Sequence, residues 1–243
     1  CDRLGMDTIS AGNLCAFTVE ACKRGKIDYS LDYGDVDGFA KLLAMISKRE
    51  GIGDTLARGI KYAAKAWDLE DIAVHVKGME PAGYEPRTLK GMGLAFATSD
   101  RGACHLRATF YKPELAGMIP PGQIEGKAEL FLDFEDRLTL FDALIFCRFF
   151  RDMYAWEELG EAVHAVTGLD SDKDSLRVIA TSITDIVRRF NIREGLTAED
   201  DWLPPKLFTA LEDSGNMIKP EEMEYMRREY YQMRGWDAQG VPK

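Results

Sequence analysis

The chain has 243 residues, 46% hydrophobic and 30% charged, which is the composition of an ordinary soluble globular protein and enough length to bury one large core or two modest ones. Its formal net charge of −10 would repel a phosphate backbone, and its basic residues are scattered among acids, which argues against nucleic acid as a partner. No apolar run reads as a membrane span, and with no charged-then-apolar leader the opening Cys1-Asp2-Arg3-Leu4-Gly5 reads as the interior of a longer polypeptide.

Apolar residues recur with helical period over most of the chain and strand-like alternation is scarce. An all-α fold is therefore expected, in two helical subdomains (1–80 and 81–243) with a few short strands or irregular loops. Asp7 or Thr8 can cap a first helix that runs to about Lys23 and stops at Gly25. A second is predicted over 37–51, carrying Leu42, Leu43 and Ile46, and a third over 54–67, carrying Leu56, Ile60 and Ala64. Ala73-Val74-His75-Val76 alternates like a short strand, and the Gly- and Pro-rich run 77–93 that follows should hold no regular element. That run is the expected junction or site loop. After it come a short apolar stretch at 94–97, a polar turn at 99–102 and Cys104-His105-Leu106-Arg107.

From residue 127 helices return, with Leu130, Phe131, Phe134, Leu138, Phe141, Leu144 and Ile145 on one broad apolar face. A helix over 156–166 should end at Gly168, and Asp172 or Asp174 can cap a long one through Leu176, Ile179, Ile183, Ile186, Val187 and Phe190. Pro204-Pro205 interrupts the chain, and Pro220 opens a last helix through Met223, Met226 and Tyr230. The five cysteines, Cys1, Cys15, Cys22, Cys104 and Cys147, are odd in number and widely spaced. None forms the CxxC pair of a self-contained zinc or iron–sulfur site, and a reducing, cytoplasmic compartment is expected.

Phosphate-binding Gly loops, HExxH helices and GxSxG elbows are missing from the sequence. Polar residues nevertheless stand where apolar ones would be ordinary: Asp2 and Asp7 flank Gly5-Met6, His105 lies between Arg101 and Arg107, and Asp142 precedes Cys147 in an aromatic run. By residue type alone, capping for Asp7, a structural role for His105 and burial for Cys147 are the simpler readings. His75 and His164 read as structural.

Asp2-Arg3-Leu4-Gly5-Met6-Asp7 resembles the DxxGL(D/C) motif of the aldehyde:ferredoxin oxidoreductase family. The resemblance continues in order through 53–61, 76–81, 86–87, 90–93, 101–105, 189–195, 200–205, 230–231 and 234–236. It implies the C-terminal helical domains of a tungsten-pterin oxidoreductase that turns a small aldehyde into a carboxylic acid, with ferredoxin as electron carrier. It implies that Asp2, Gly5, Met6 and Asp7 hold one pterin of a tungsten (or molybdenum) bis-pterin, that Asp142 binds the second, and that Arg107 and Phe146 also contact the pterin cofactor. Carboxylates accept the amine and ring N–H donors of a pterin, and a glycine lets the backbone come close. By the same resemblance Cys147 is a metal ligand, the fourth thiolate of a 4Fe-4S cluster, and His105 is catalytic, donating a hydrogen bond or proton toward the substrate oxygen.

The second motif departs from the family pattern, with Ile145 and Phe146 where Gly and Leu are usual. The family's other cluster cysteines and its sheet-rich N-terminal domain fall outside this sequence, so the chain alone is expected to hold neither tungsten nor iron and to be inactive. The oligomeric state, homo-oligomer or monomer, is left open. The alternative is a stand-alone helical interaction or scaffold protein derived from the family. The lost Gly at 145 favours that alternative, and the retained Asp2, Asp7, His105, Asp142 and Cys147 oppose it. On the enzyme reading Asp2, Asp7, His105, Arg107, Asp142 and Cys147 should surround one cavity.

Overall fold

A computed structural model describes residues 1–169 and 171–243. Among these residues are ten α-helices, several 3-10 turns and two isolated β-bridges, Val76–Met79 and Trp236–Pro242. This is the mostly helical fold that the apolar periodicity requires. No helix among the described residues is long and apolar enough to cross a membrane.

Helix α1 (Thr8–Lys23) begins where the Asp7 carboxylate accepts the Ser10 amide at 2.7 Å, and the chain turns away at Gly25, φ 65°. Helix α2 (Val36–Lys48) is capped by Asp35, which accepts from the Gly38 amide at 2.9 Å. The single helix predicted over 54–67 is two, α3 (Ile52–Leu56) and α4 (Ile60–Trp67). Gly59 at φ 90° interrupts the helical backbone between them, a conformation closed to most L-residues. Leu14, Phe17, Val19, Leu42, Leu56 and Ile60 form the first apolar cluster, with Phe17 stacked on Trp67 at 5.6 Å.

The alternation at 73–76 yields only the Val76–Met79 bridge. The following run is not free of regular structure, because its last four residues open α5 (Lys90–Thr98), whose residues 91–98 are all buried. The two helix glycines explain this. A Cβ on Gly91 would lie 2.3 Å from the Phe110 ring, and one on Gly93 would lie 3.0 Å from Ile218. Each glycine costs about 1 kcal/mol of helix propensity, while burying Met92, Leu94 and Phe96 contributes about 1.5–3 kcal/mol apiece. Close packing wins. Around α5 a second cluster gathers Phe110, α6 (Tyr111–Leu115), the first half of α7 (Lys127–Ala143), and Met226 and Tyr230 of α10 (Pro220–Met233).

A third cluster joins the second half of α7 to α8 (Trp156–Thr167) and α9 (Lys173–Arg193) through Leu138, Phe141, Leu159 and Leu176. Gly168 ends α8 at φ 70°, and Asp172 caps α9 by accepting from the Ser175 amide at 2.8 Å. The apolar face predicted to continue through Leu144 and Ile145 stops short. Helix α7 ends at Ala143, and Ile145 stands 91% exposed in the left-handed region at φ 59°.

Buried ion pairs tie these layers together. Arg234, the residue that caps the C-terminus of α10, holds Glu135 at 2.5 Å and Asp136 at 2.6 Å on α7, and Tyr230 donates to Glu135 at 2.9 Å. The buried Lys77 ammonium donates to Ala97 O at 2.6 Å and Ser99 O at 2.8 Å, at the end of α5, and pairs with Asp201 at 2.7 Å. Replacing Arg234 with Met leaves two buried carboxylates poorly matched, and denaturant unfolding should show a loss of about 3–5 kcal/mol. Ile145→Gly should raise stability by about 0.5–1 kcal/mol in the same assay, because relief of left-handed strain exceeds the entropy cost of glycine.

Candidate functional site

Asp142 sits in the last turn of α7, where its carboxylate is exposed. Arg148 approaches it with Nε 3.1 Å from Oδ1 and Nη2 2.5 Å from Oδ2, and Arg107 Nη1 donates to Oδ2 from the other side. Arg107 Nε also reaches Asp100 at 2.8 Å. The result is an alternating row, Asp100, Arg107, Asp142, Arg148. Burial opposes the charge on Arg107, but the Asp100 hydrogen bond and then the Asp142 charge outweigh it and hold its pKa above the ordinary arginine value. Burial dominates at Arg148 and pushes its pKa down. Its Nη1 is buried with no acceptor.

Arg107 and Asp142 line a cavity of about 320 Å³ between α7 and α9, with Glu135, Ile183, Arg188 and Asn191 among its walls. Asn191 of α9 donates to Asp100 O at 2.7 Å, which fixes the turn that carries Asp100 and Arg101. Lys77 fixes the start of that turn through Ser99 O. Its ammonium lies at the C-terminal end of α5, where a cation suits the helix dipole.

The residues of the first motif lie elsewhere. Asp2 is exposed in a 3-10 turn, Asp2–Leu4, closed by Gly5 at φ 67°, whose amide donates to Asp2 O at 3.1 Å. Met6 and Asp7 line a second hollow, also about 320 Å³, with Ser10, Gly59, Gly78 and Glu80. Ser10 Oγ donates to Glu80 Oε2 at 2.8 Å. The six groups expected around one cavity are thus divided: Arg107 and Asp142 at the first, Asp7 at the second, and Asp2, His105 and Cys147 lining neither. The reason is that Asp7 is held by capping α1 while Asp142 is held by two arginines.

His105 feels the charge of Asp7 but lines neither hollow. Burial pushes its pKa down, the Arg101 charge lowers it further, and the Asp7 charge partly offsets both. Its ring centre is 5.7 Å from that of Tyr84, which stacks on Tyr111 at 3.9 Å. Cys104 Sγ accepts from Arg101 Nη2 at 3.1 Å and from the Leu106 amide at 3.4 Å. Cys147 is exposed beside the 3-10 turn Arg148–Phe150. The Phe146 ring turns into the third cluster, against Phe141 at 5.5 Å and Tyr154 at 5.6 Å. Among the described residues no three His, Cys, Asp or Glu side chains converge as a metal-ligand set.

Sequence reasoning did not single out Asp100, Arg148, Glu80, Tyr84 or Tyr111. Arg148 could have been flagged because it directly follows Cys147, and Asp100 because it lies in the polar turn before His105. Nothing in the linear pattern pairs Tyr84 with His105. The carboxylates and guanidiniums at the cavity mouth can together bind a ligand that carries both N–H donors and anionic oxygens.

The His105 environment gives a signed expectation. Its imidazole should titrate below the ordinary histidine value in a proton NMR titration, with Arg101→Gln raising the midpoint and Asp7→Asn lowering it further. The unfolded chain binds this proton more readily than the folded one. The His105 contribution to stability should therefore be lost as pH falls from about 6.5 toward the folded midpoint.

A family model described as aldehyde ferredoxin oxidoreductase, domains 2 & 3, matches residues 1–243. The tungsten-containing aldehyde ferredoxin oxidoreductases of Pyrococcus furiosus and Thermococcus kodakarensis are similar to the chain at 31% and 29% identity, over 100% of this chain and 42% of each relative. The aliphatic sulfonate oxidoreductase, WOR-like subunit, of Pyrococcus furiosus is 27% identical over 100% of this chain and 40% of its own length. The chain thus spans well under half the length of the curated relatives it matches. Among solved structures, the active site complex BamBC of benzoyl coenzyme A reductase with 1,5-dienoyl-CoA shares the fold, with a TM-score of 0.76 at 20% identity over 98% of this chain and 43% of that one. With a match along its entire length, the chain belongs to the aldehyde ferredoxin oxidoreductase family, to the part that forms domains 2 and 3.

Proposed function

We propose that this chain is the helical, cofactor-facing part of a tungsten-pterin oxidoreductase that oxidises an aldehyde to a carboxylic acid and passes the electrons to ferredoxin. The observation that carries this reading is the row Asp100, Arg107, Asp142, Arg148, whose first three members line the cavity. It offers carboxylate acceptors for pterin N–H groups and guanidinium donors for phosphate oxygens, with one buried donor, Arg148 Nη1, still unpartnered. The donor set suits such a cofactor. Asp2, Gly5, Met6 and Asp7 would hold one pterin, Arg107, Asp142 and the Phe146 main chain the other, and the exposed Cys147 thiol would supply one cluster ligand.

When bound, the tungsten bis-pterin supplies the two-electron redox chemistry and the 4Fe-4S cluster carries the electrons onward. Oxidising an aldehyde with water to the acid releases two electrons and two protons. His105 can take one of those protons, because burial and Arg101 keep its imidazole neutral near pH 7. On this reading the chain divides into two helical units near residue 80, which is supported by a first apolar cluster ending at Ala73 and a second beginning at Val76. A cytoplasmic setting belongs to the same reading and is supported by five free cysteines.

The test is metal analysis of the native full-length polypeptide purified without oxygen. Tungsten with about four irons per chain and aldehyde-dependent reduction of ferredoxin are expected, and a tungsten-free native protein would remove the reading. In that enzyme His105→Asn should lower kcat about 10²- to 10⁴-fold with the metal content retained.

A further inference from the structure

Glu80 is 6% exposed, yet among the described residues its carboxylate meets no cation and accepts a single hydrogen bond, from Ser10 Oγ to Oε2 at 2.8 Å. Every other buried acid among those residues has a cation: Lys127 at Glu114, Arg234 at Glu135 and Asp136, Lys77 and Arg188 at Asp201. A buried carboxylate with one hydroxyl partner leaves most of its desolvation cost uncompensated. Glu80 therefore lacks donors that something else can supply.

The backbone holds Glu80 on both sides. Val76 and Met79 exchange amide hydrogen bonds at 3.0 Å just before it, and Asn13 Nδ2 of α1 donates to Pro81 O at 3.1 Å just after it. Its partner Ser10 also donates its amide to Asp7 Oδ2 at 2.7 Å, so one turn of α1 links the two carboxylates. Both line the hollow at the start of α1, with Leu14, Ile46 and Leu56 as apolar walls. Among the described residues no Lys, Arg or His lines this hollow, whereas Arg107 and Arg188 enter the cavity at Asp142. A ligand here must bring N–H donors or positive charge on a partly apolar body, and an anionic oxygen would be repelled.

We propose that Glu80 is a ligand-binding residue of this hollow, where its carboxylate joins that of Asp7 in accepting N–H donors from one pterin, and that the hollow excludes the phosphate-bearing part of that cofactor. Naming the ligand a pterin rests on the oxidoreductase reading above, whereas the need for an N–H donor does not. Hydrogen bonds to an ionised acceptor are about twice as strong as neutral ones, so Glu80 would add to the retention of the cofactor. Its anchoring at Pro81 and Ser10 means that little ordering is left to be done when the ligand arrives.

In the native full-length enzyme, purified without oxygen, the test is the rate at which tungsten and pterin leave the protein during anaerobic dialysis, with pterin read as its fluorescent oxidation product. Glu80→Gln keeps the shape and removes the charge, and it should speed both losses about 10- to 100-fold, the range of one charged hydrogen bond. Ser10→Ala leaves the carboxylate and removes only its internal donor, so it should hold the cofactor within a few-fold of the wild type. Loss from Glu80→Gln at the wild-type rate would overturn the proposal. Equal acceleration in the two variants would also overturn it, because the pair would then serve only to pack residue 80 against α1. Should Glu80→Gln not fold, Glu80→Asp must retain cofactor longer than Glu80→Ala, and the opposite order counts against the proposal. If the native protein contained no pterin, the oxidoreductase reading would fall on its own and calorimetric titration of that protein with 6-methylpterin would decide the donor site. Binding weakened by Glu80→Gln supports it, and no binding, or binding the variant leaves unchanged, removes it.

Discussion

Arg234 reaches from α10 into a region closed to water and holds both Glu135 and Asp136 of α7, while Arg177 of α9 meets Asp136 from its other side at 3.3 Å. Two acids and two bases balance there. Helix α7 runs through the second and third apolar clusters, so this arrangement fixes the one element that both clusters share. Exchanging such a set for apolar residues of similar volume is often neutral, but removing one member is expensive. What the set provides is register, because α7 cannot slide or rotate without exposing a buried charge, and its C-terminal turn therefore presents Asp142 at one place.

A second constraint places the other side of the site. Helix α5 packs so closely that Gly91 and Gly93 leave no room for a side chain. Its C-terminal carbonyls are held by Lys77, which arrives from the far side of a turn and shares Asp201 with Arg188. Burial pushes the Lys77 pKa down and Asp201 resists that shift. The turn that begins at Ser99 thus leaves a rigid helix end, and Asp100, Arg101 and His105 follow within a few residues. Functional groups on a loop are as well positioned as the scaffold to which the loop is tied.

The cavity mouth gathers charge of both signs, and the balance differs along it. Asp142 is shared between Arg107 and Arg148, whereas Asp100, among the described residues, pairs with Arg107 alone. Ile145 carries backbone strain at the same end of α7, two residues before Cys147. A β-branched residue at φ 59° is a genuine departure from ordinary backbone preference. By the sequence resemblance it stands where the family pattern has a glycine, the residue that adopts this conformation without steric strain.

Helix existence and most caps were legible in the chain, because they depend on neighbours three or four residues apart: Asp7 with Ser10, Asp172 with Ser175, and Gly25 and Gly168 beyond helix ends. The break at Gly59 and the helix through Gly91 and Gly93 were not. Whether a glycine interrupts a helix or admits a neighbour depends on what packs against it, and that neighbour, Phe110, is distant in sequence. The residue types of the candidate site could be read from Asp2, Asp7, His105, Arg107, Asp142 and Cys147, and the family followed from their order along the chain. Only the tertiary structure decided that Asp142 lies between two arginines and that Asp7 faces a different hollow. Local hydrogen bonding is written in adjacent residues, whereas the matching of charges is settled by which helices the core brings together.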